Sequence, residues 1–443
     1  MTGHSFHVLL GVTVALFVIV ATAQLFGRIA PMLRQPAVVG EMAAGVVLGP
    51  SLLGAVAPDL SAHLFPTDVK QTLFVIAMLG LSFYMFLVGI EHEHEAGSRK
   101  EASFPVVMAI AGMVVPVTIG AAAAALVANR FRPADIAPGV FVVFVGGALS
   151  VTAFPMLARM LQERRMMGTP FGAVATRAAA LDDAMAWCLL AVLSGFASGG
   201  TLSGLLHTIL PAAAFAAIAF WLLPKLFRRP MQRAVDEGHV GDGLLGALLM
   251  LVLGAGWFSD YIGIYSVFGG FIAGMALPSV PGFSALINAR LLQLVRCLFL
   301  PVFFAYSGLN TDITTISGSV LLILGLLLAA AFTSKTAAAV LVSRAYGWGW
   351  GKATAMGALM NARGLMILIF INIGLGLGII EQRMFSILVV VAVITTALAL
   401  PIYRRYYTPA REDAERQAAA AAAVEEIAAQ PPDRPVRAGD MPN

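Results

Sequence analysis

Thirteen apolar runs of roughly 18 to 30 residues follow one another with only short polar loops between them. They cover roughly 6–27, 36–54, 69–90, 103–128, 136–160, 170–196, 204–224, 242–259, 261–279, 292–309, 316–343, 349–378 and 381–403. Each is long enough for a helix to cross a hydrocarbon layer about 30 Å thick. Such a chain has one general solution, an all-α polytopic membrane protein, because helices satisfy their own backbone polar groups in lipid. Charged residues make up 12% of the chain, about half the share in soluble domains, which excludes a soluble fold. The net charge of +4 comes from loop lysines and arginines and does not point to nucleic acid. Cys188 and Cys297 have neither metal-ligand spacing nor an evident disulfide role. The first run has no basic residue before it and reads as a retained helix, not a cleaved signal.

Basic residues test the count. One set of alternate loops and flanking helix ends holds Arg28, Arg34, Arg99, Lys100, Arg159, Arg164, Arg165, Lys225, Arg228, Arg229, Arg233, Arg290, Arg296, Arg344 and Lys352. The other holds Lys70, Arg130, Arg132 and Arg383. The positive-inside rule makes the rich set cytoplasmic. The N-terminus is then outside, and the C-terminus is inside a cell membrane. Residues 411–429, rich in alanine, are expected to form a short cytoplasmic helix, and 430–443 to be disordered. The organisation expected is one transmembrane domain over 1–407 and a tail over 408–443. The domain divides into a first repeat at about 6–196, a linker helix at 204–224 and a second repeat at about 242–403.

Six ionisable groups remain inside the spans: Glu41, Asp182 and Asp183 against Arg177, Lys335 and Arg363. A charge at the bilayer centre costs at least ~2.5–3.5 kcal/mol, so such groups mark ion pathways and proton relays. Asp182 and Asp183 lie roughly 18–20 Å into their helix at 1.5 Å per residue, and adjacent side chains diverge by about 100°. One carboxylate can therefore meet a protein partner while the other faces a cavity. Lys335, about 13 Å from the cytoplasmic Arg344, is too deep to snorkel and is the expected partner. Low-dielectric surroundings work against an ionised carboxyl. A carboxyl held there takes a proton or a cation, not both, and that competition is sufficient for exchange. Sodium or potassium would be completed by oxygens from Ser150, Thr152 and freed carbonyls.

Two runs resist reading as plain helices. One contains Gly146-Gly147-Ala148-Leu149-Ser150-Val151-Thr152-Ala153-Phe154-Pro155, the other Asn361-Ala362-Arg363-Gly364. They are the fifth and twelfth runs, an odd offset, so they run in opposite directions as an inverted repeat requires. Paired interrupted helices point to a transporter's binding site. Arg363 is expected to neutralise half-helix carbonyl ends, and Glu41 to be a structural residue near the cytoplasmic end of its helix. The run Glu91-His92-Glu93-His94-Glu95 is expected to be a solvated loop.

Four stretches carry a family resemblance: QPAVVGEMAAGVVLGPSLLG (35–54), GGALSVTAFPMLARML (146–161), ALDDAMAWCLLAV (180–192) and the run from Ser334 to Ile380. The chain resembles the monovalent cation/proton antiporters of the second cation/proton antiporter family, especially its plant CHX-like and bacterial sodium/proton branches. The resemblance implies a thirteen-helix inverted-repeat fold and a homodimer. It implies a core that moves like an elevator against a dimerisation domain. It implies Asp183 as principal carrier of cation and proton, with Asp182 bridged to Lys335. The double aspartate resembles electrogenic sodium exchangers, while the wording around Thr152 resembles potassium-linked members. No cofactor and no metal beyond the transported Na⁺ or K⁺ is implied. Two departures stand out. Met366-Ile367-Leu368 follow the Arg-Gly-Leu step where a glutamate is usual. Arg177 replaces a small residue, placed to act on the aspartates or to pair with Glu41.

Rival readings are weaker. An intramembrane aspartyl protease draws its two aspartates from different helices, and a channel has no need of a mid-membrane lysine. The alternative within transport is a proton-coupled exporter of an organic ion or ionophore on the same scaffold.

Overall fold

The computed structural model describes residues 3–33, 35–91, 99–197 and 202–428. Every regular element among them is helical. Eleven helices are long and apolar enough to cross a membrane, twelve when the bent pair Trp350–Leu359 and Gly364–Gly376 is taken as one span. Thirteen full spans are not reached. The expected run at 261–279 folds as Ser266–Met275, about 15 Å long, half a hydrocarbon core. A turn after Tyr261 and Pro278 cut it short. The Glu91–Glu95 run falls largely outside the described residues.

Burial ranks the spans. The most hydrophobic stretch of Pro138–Glu163 is 78% buried, that of Leu210–Asp236 only 11%. The interrupted segment therefore lies at the centre and the expected linker helix at the periphery. Close packing uses missing side chains, as membrane helix interfaces do. A Cβ at Gly308 would collide with the carbonyl of Gly45, and a Cβ at Gly45 with the carbonyl of Phe304. These two glycines let the Ala37–Leu48 and Leu300–Leu309 helices meet backbone to backbone.

The tail helix runs Pro409–Ala428, and it is docked rather than free. Arg164 donates to both Glu412 oxygens at 2.9 and 2.8 Å. Glu415 accepts from Lys352 at 2.9 Å and from the backbone N–H of Phe171 at 2.9 Å. Phe171 opens the Pro170–Ala197 helix, so Glu415 places negative charge at that helix's positive end. Burial, followed by the hydrogen bond to Glu415, holds the Tyr407 phenol above its ordinary pKa, and the phenol stays a donor to that carboxylate. Glu412→Ala would leave Arg164, largely covered, without its bidentate partner. The expected cost is about 2–3 kcal/mol, read as a lower melting temperature in detergent than for Asp413→Ala, whose carboxylate is exposed.

Candidate functional site

The two breaks cross at the centre of the molecule. Pro138–Ser150 ends at an extended stretch, Val151 to Ala153, before Phe154–Glu163 resumes. Trp350–Leu359 and Gly364–Gly376 meet at 42°. Glycine permits the second break, because Gly364 sits at φ +43° and a Cβ there would press on Met156. The extended stretches satisfy one another. Thr152 Oγ1 donates to the Met360 carbonyl at 2.9 Å, and the Ala153 N–H to the Ala362 carbonyl at 2.9 Å.

Freed helix ends then meet charge. The Pro138–Ser150 helix presents its carbonyl end, and two cations cap it. Arg363 donates to the Leu149 carbonyl and, at 2.9 Å, to that of Ala331. The Lys335 ammonium donates to Ser150 O and, at 2.8 Å, to Gly112 O. Its third donor reaches Asp182 Oδ2 at 2.9 Å, and that oxygen also accepts the Thr152 N–H at 2.8 Å. Lys335, Arg363, Asp182 and Asp183 are all fully or almost fully buried. The opposite half-helix, Phe154–Glu163, directs its amide end at Asp183: the Phe154 N–H is the backbone donor facing that carboxyl. Neither Asp183 oxygen closes a hydrogen bond. An unsatisfied buried acceptor is rare and calls for a reason.

Asp183 lines a cavity of about 180 Å³ shared with Glu41, Tyr84, Met156, Arg159 and Arg296. A second cavity of about 140 Å³, lined by Phe74, Tyr265, Tyr306, Asn310, Ile369 and Asn372, does not include Asp183. Asp183 thus lines the cavity that carries Arg159 and Arg296 and is absent from the lining of the second.

Other expected residues have different settings. The Ser150 hydroxyl is spent on Gly147 O at 2.8 Å, and that of Thr152 on Met360 O, so only their lone pairs remain for a ligand. Asn361 braces the second break, donating to Thr336 Oγ1 at 2.9 Å and Gly357 O at 2.8 Å. The cations acting on Glu41 are Arg159 and Arg296, not Arg177. The Glu41–Arg177 pairing is therefore not built, because Arg159 and Arg296 line the cavity into which Glu41 projects. Arg177 is half-buried on the aspartate helix. Thr396 is a residue that sequence reasoning missed. Its hydroxyl accepts from the N–H groups of Arg363 and Gly364 at 3.2 and 3.1 Å and caps the second half-helix. Nothing local distinguishes it from Thr395, the other threonine of its apolar helix.

Two crossed, interrupted helices around a buried acid pair define a class, the polytopic membrane transporters of sodium/proton-antiporter fold. Among solved structures the fold is similar to the sodium proton antiporter MjNhaP1 from Methanocaldococcus jannaschii, with TM-score 0.62 and 14% identity over 91% of this chain and 98% of that one. The family described as sodium/hydrogen exchanger, transmembrane, matches residues 14–403, and the chain belongs to it. The chain is similar to the Na(+)/H(+) antiporter NhaS4 of Synechocystis, 33% identical over 90% of this chain and 98% of that protein. It is also similar to Cation/H(+) antiporter 18 of Arabidopsis thaliana, at 36% over 89% of this chain and 48% of that one. K(+)/H(+) antiporter 1 of Saccharomyces cerevisiae is 30% identical over 90% of this chain and 46% of that one. The chain spans about half the length of these plant and yeast relatives.

Proposed function

We propose that this protein exchanges an alkali cation, Na⁺ or K⁺, for H⁺ across a cell membrane, with Asp183 as the shared site. The carrying observation is a buried carboxyl whose oxygens close no hydrogen bond, faced by the Phe154 N–H and lining the cavity that holds Arg159 and Arg296. Charge arithmetic supports the competition. With Lys335, Arg363, Asp182 and Asp183 ionised the crossing sums to zero. A proton on Asp183 or a monovalent cation beside it brings the sum to +1 either way. Two ligands that leave the same charge in a low-dielectric site are interchangeable there, while both together add a second uncompensated charge. Asp182 and Lys335 hold the crossing together while Asp183 changes ligand, and Ser150, Thr152 and Asn361 support the breaks.

Arg159 and Arg296 belong to the basic set of loops, so the positive-inside rule makes the open cavity cytoplasmic and the C-terminus inside. Transport then needs the crossing to move against the rest of the fold until Asp183 faces the second cavity, an elevator-like step in a homodimer. The two repeats, 6–196 and 242–403, joined by 204–224 and followed by the 408–443 tail, each contribute one of the crossed helices to the core that moves against a dimerisation domain. The test is proton flux in everted vesicles loaded with a pH-sensitive dye. Na⁺ or K⁺ is expected to discharge the proton gradient. No response to Na⁺, K⁺ or Li⁺ would overturn cation exchange in favour of an organic-ion exporter.

A further inference from the structure

Glu41 occupies an unusual place for a carboxylate. It sits on the Ala37–Leu48 helix within the expected span 36–54, and its side chain lines the same cavity as Asp183. It makes no hydrogen bond and no ion pair with any described residue. Its electrostatic partners are Arg159 and Arg296. These belong to two further elements, Phe154–Glu163 and the π-helical turn Val295–Phe299. That turn sets Arg296 and Cys297 on the cavity wall, in keeping with the habit of π-turns to occur at functional sites. Gln24 and Tyr84, from two more helices, are the remaining polar neighbours.

Two arginines in the cavity that Asp183 lines would repel an approaching alkali cation. A lone carboxylate beside them cancels one charge, and with Asp183 ionised it brings the cavity to neutrality. The cavity has room for several waters, each taking about 30 Å³ in the liquid, so a cation enters still partly hydrated. We propose that Glu41 is a vestibule station for the transported cation, which draws it past Arg159 and Arg296 and hands it to Asp183. The proposal rests on the exchange reading above and assigns to that pathway a second acid, on the part of the fold against which the crossing would move.

The test is the cation dependence of proton flux in everted vesicles. Charged clefts change local ion concentration by about tenfold or more. Glu41→Gln is expected to raise the apparent KM for the cation about tenfold with the maximal rate within about twofold, and added choline chloride to lower that KM by screening. Arg296→Gln is expected to lower KM, and the double variant to return near the parent value. Glu41→Asp is expected to keep most of the affinity. Should Glu41→Gln not assemble, the Arg296→Gln shift still decides. An unchanged KM in both single variants overturns the proposal. So does a joint fall of rate and affinity that Arg296→Gln does not reverse, since that is the mark of a structural role. Asp183→Asn separates the two readings: exchange lost there with KM unmoved by Glu41 removes only the vestibule station, whereas exchange retained there removes the reading beneath it.

Discussion

Asp183→Asn is expected to abolish exchange for Na⁺, K⁺ and Li⁺ alike while leaving the protein as stable as before or slightly more so. Both halves follow from one geometry. A cation about 4 Å from a carboxylate gains about 4 kcal/mol at an effective dielectric near 20, which is roughly a thousandfold in affinity at 1.36 kcal/mol per decade. An amide carries no charge to offer, cannot release a proton, and leaves the crossing at +1 before any cation arrives. Flux should fall to that of vesicles without the protein. Yet neither Asp183 oxygen closes a hydrogen bond, so neutralising the side chain removes a desolvated acid and gives up only the pull of the Phe154 N–H that faces it. The expected pattern is therefore dead transport with an undiminished melting temperature, as at sites where function is kept at the expense of stability. Exchange that survives the substitution at normal rates would remove Asp183 from the mechanism. A large loss of stability would mean that it is a structural residue.

The chemistry-bearing positions were legible because lipid makes them conspicuous. Asp182, Asp183, Lys335 and Arg363 stand out in apolar runs, and Arg363-Gly364 marks backbone that leaves the helix, whereas Gly146-Gly147 stays helical and the first break falls at Val151 to Ala153. Their partners were not legible, because most are backbone carbonyls. Gly112 O, Ser150 O, Leu149 O and Ala331 O receive four of the five bonds that Lys335 and Arg363 donate, Asp182 taking the fifth, and a carbonyl leaves no trace in residue identity. Thr396 escaped for a similar reason: one hydroxyl in an apolar helix is usually spent on its own i−4 carbonyl, as in Thr395. The surroundings of Glu41 depend on a π-helical turn at Val295–Phe299, and Pro301 just after it signals a disturbed helix without telling its kind. The span count erred at 261–279 because hydropathy alone weighs residues and not the turn and proline that shorten the helix. The docking of Pro409–Ala428 rests on Glu412 and Glu415, two among several charges in an alanine-rich run that periodicity cannot rank.

Lys335→Gln is expected to be among the most destabilising single substitutions in the chain, and its rescue should come from neutralising Asp182. The ammonium uses all three donors, on Gly112 O, Ser150 O and Asp182 Oδ2. It thus ties its own helix, Ser319–Ala345, to the Arg99–Phe131 helix, to the carbonyl end of the first half-helix and to the aspartate helix. Without it, Asp182 is a buried carboxylate held by one backbone N–H from Thr152. Removing one member of a buried pair costs about 3–5 kcal/mol, mostly from the charge left behind. Asp182→Asn should cost a similar amount, because it strands the ammonium on two carbonyls beside Arg363. The double variant Asp182→Asn/Lys335→Gln removes both charges together and is expected to melt above either single variant. That is a coupling of several kcal/mol of the kind only contacting residues show. Additive losses in the cycle would mean that the two groups do not stabilise one another. The same double variant separates bracing from carriage. With Arg363 and Asp183 remaining, the crossing still sums to zero when empty and to +1 when loaded. Cation-evoked proton flux is therefore expected to persist in it, at reduced rate, where Asp183→Asn has none.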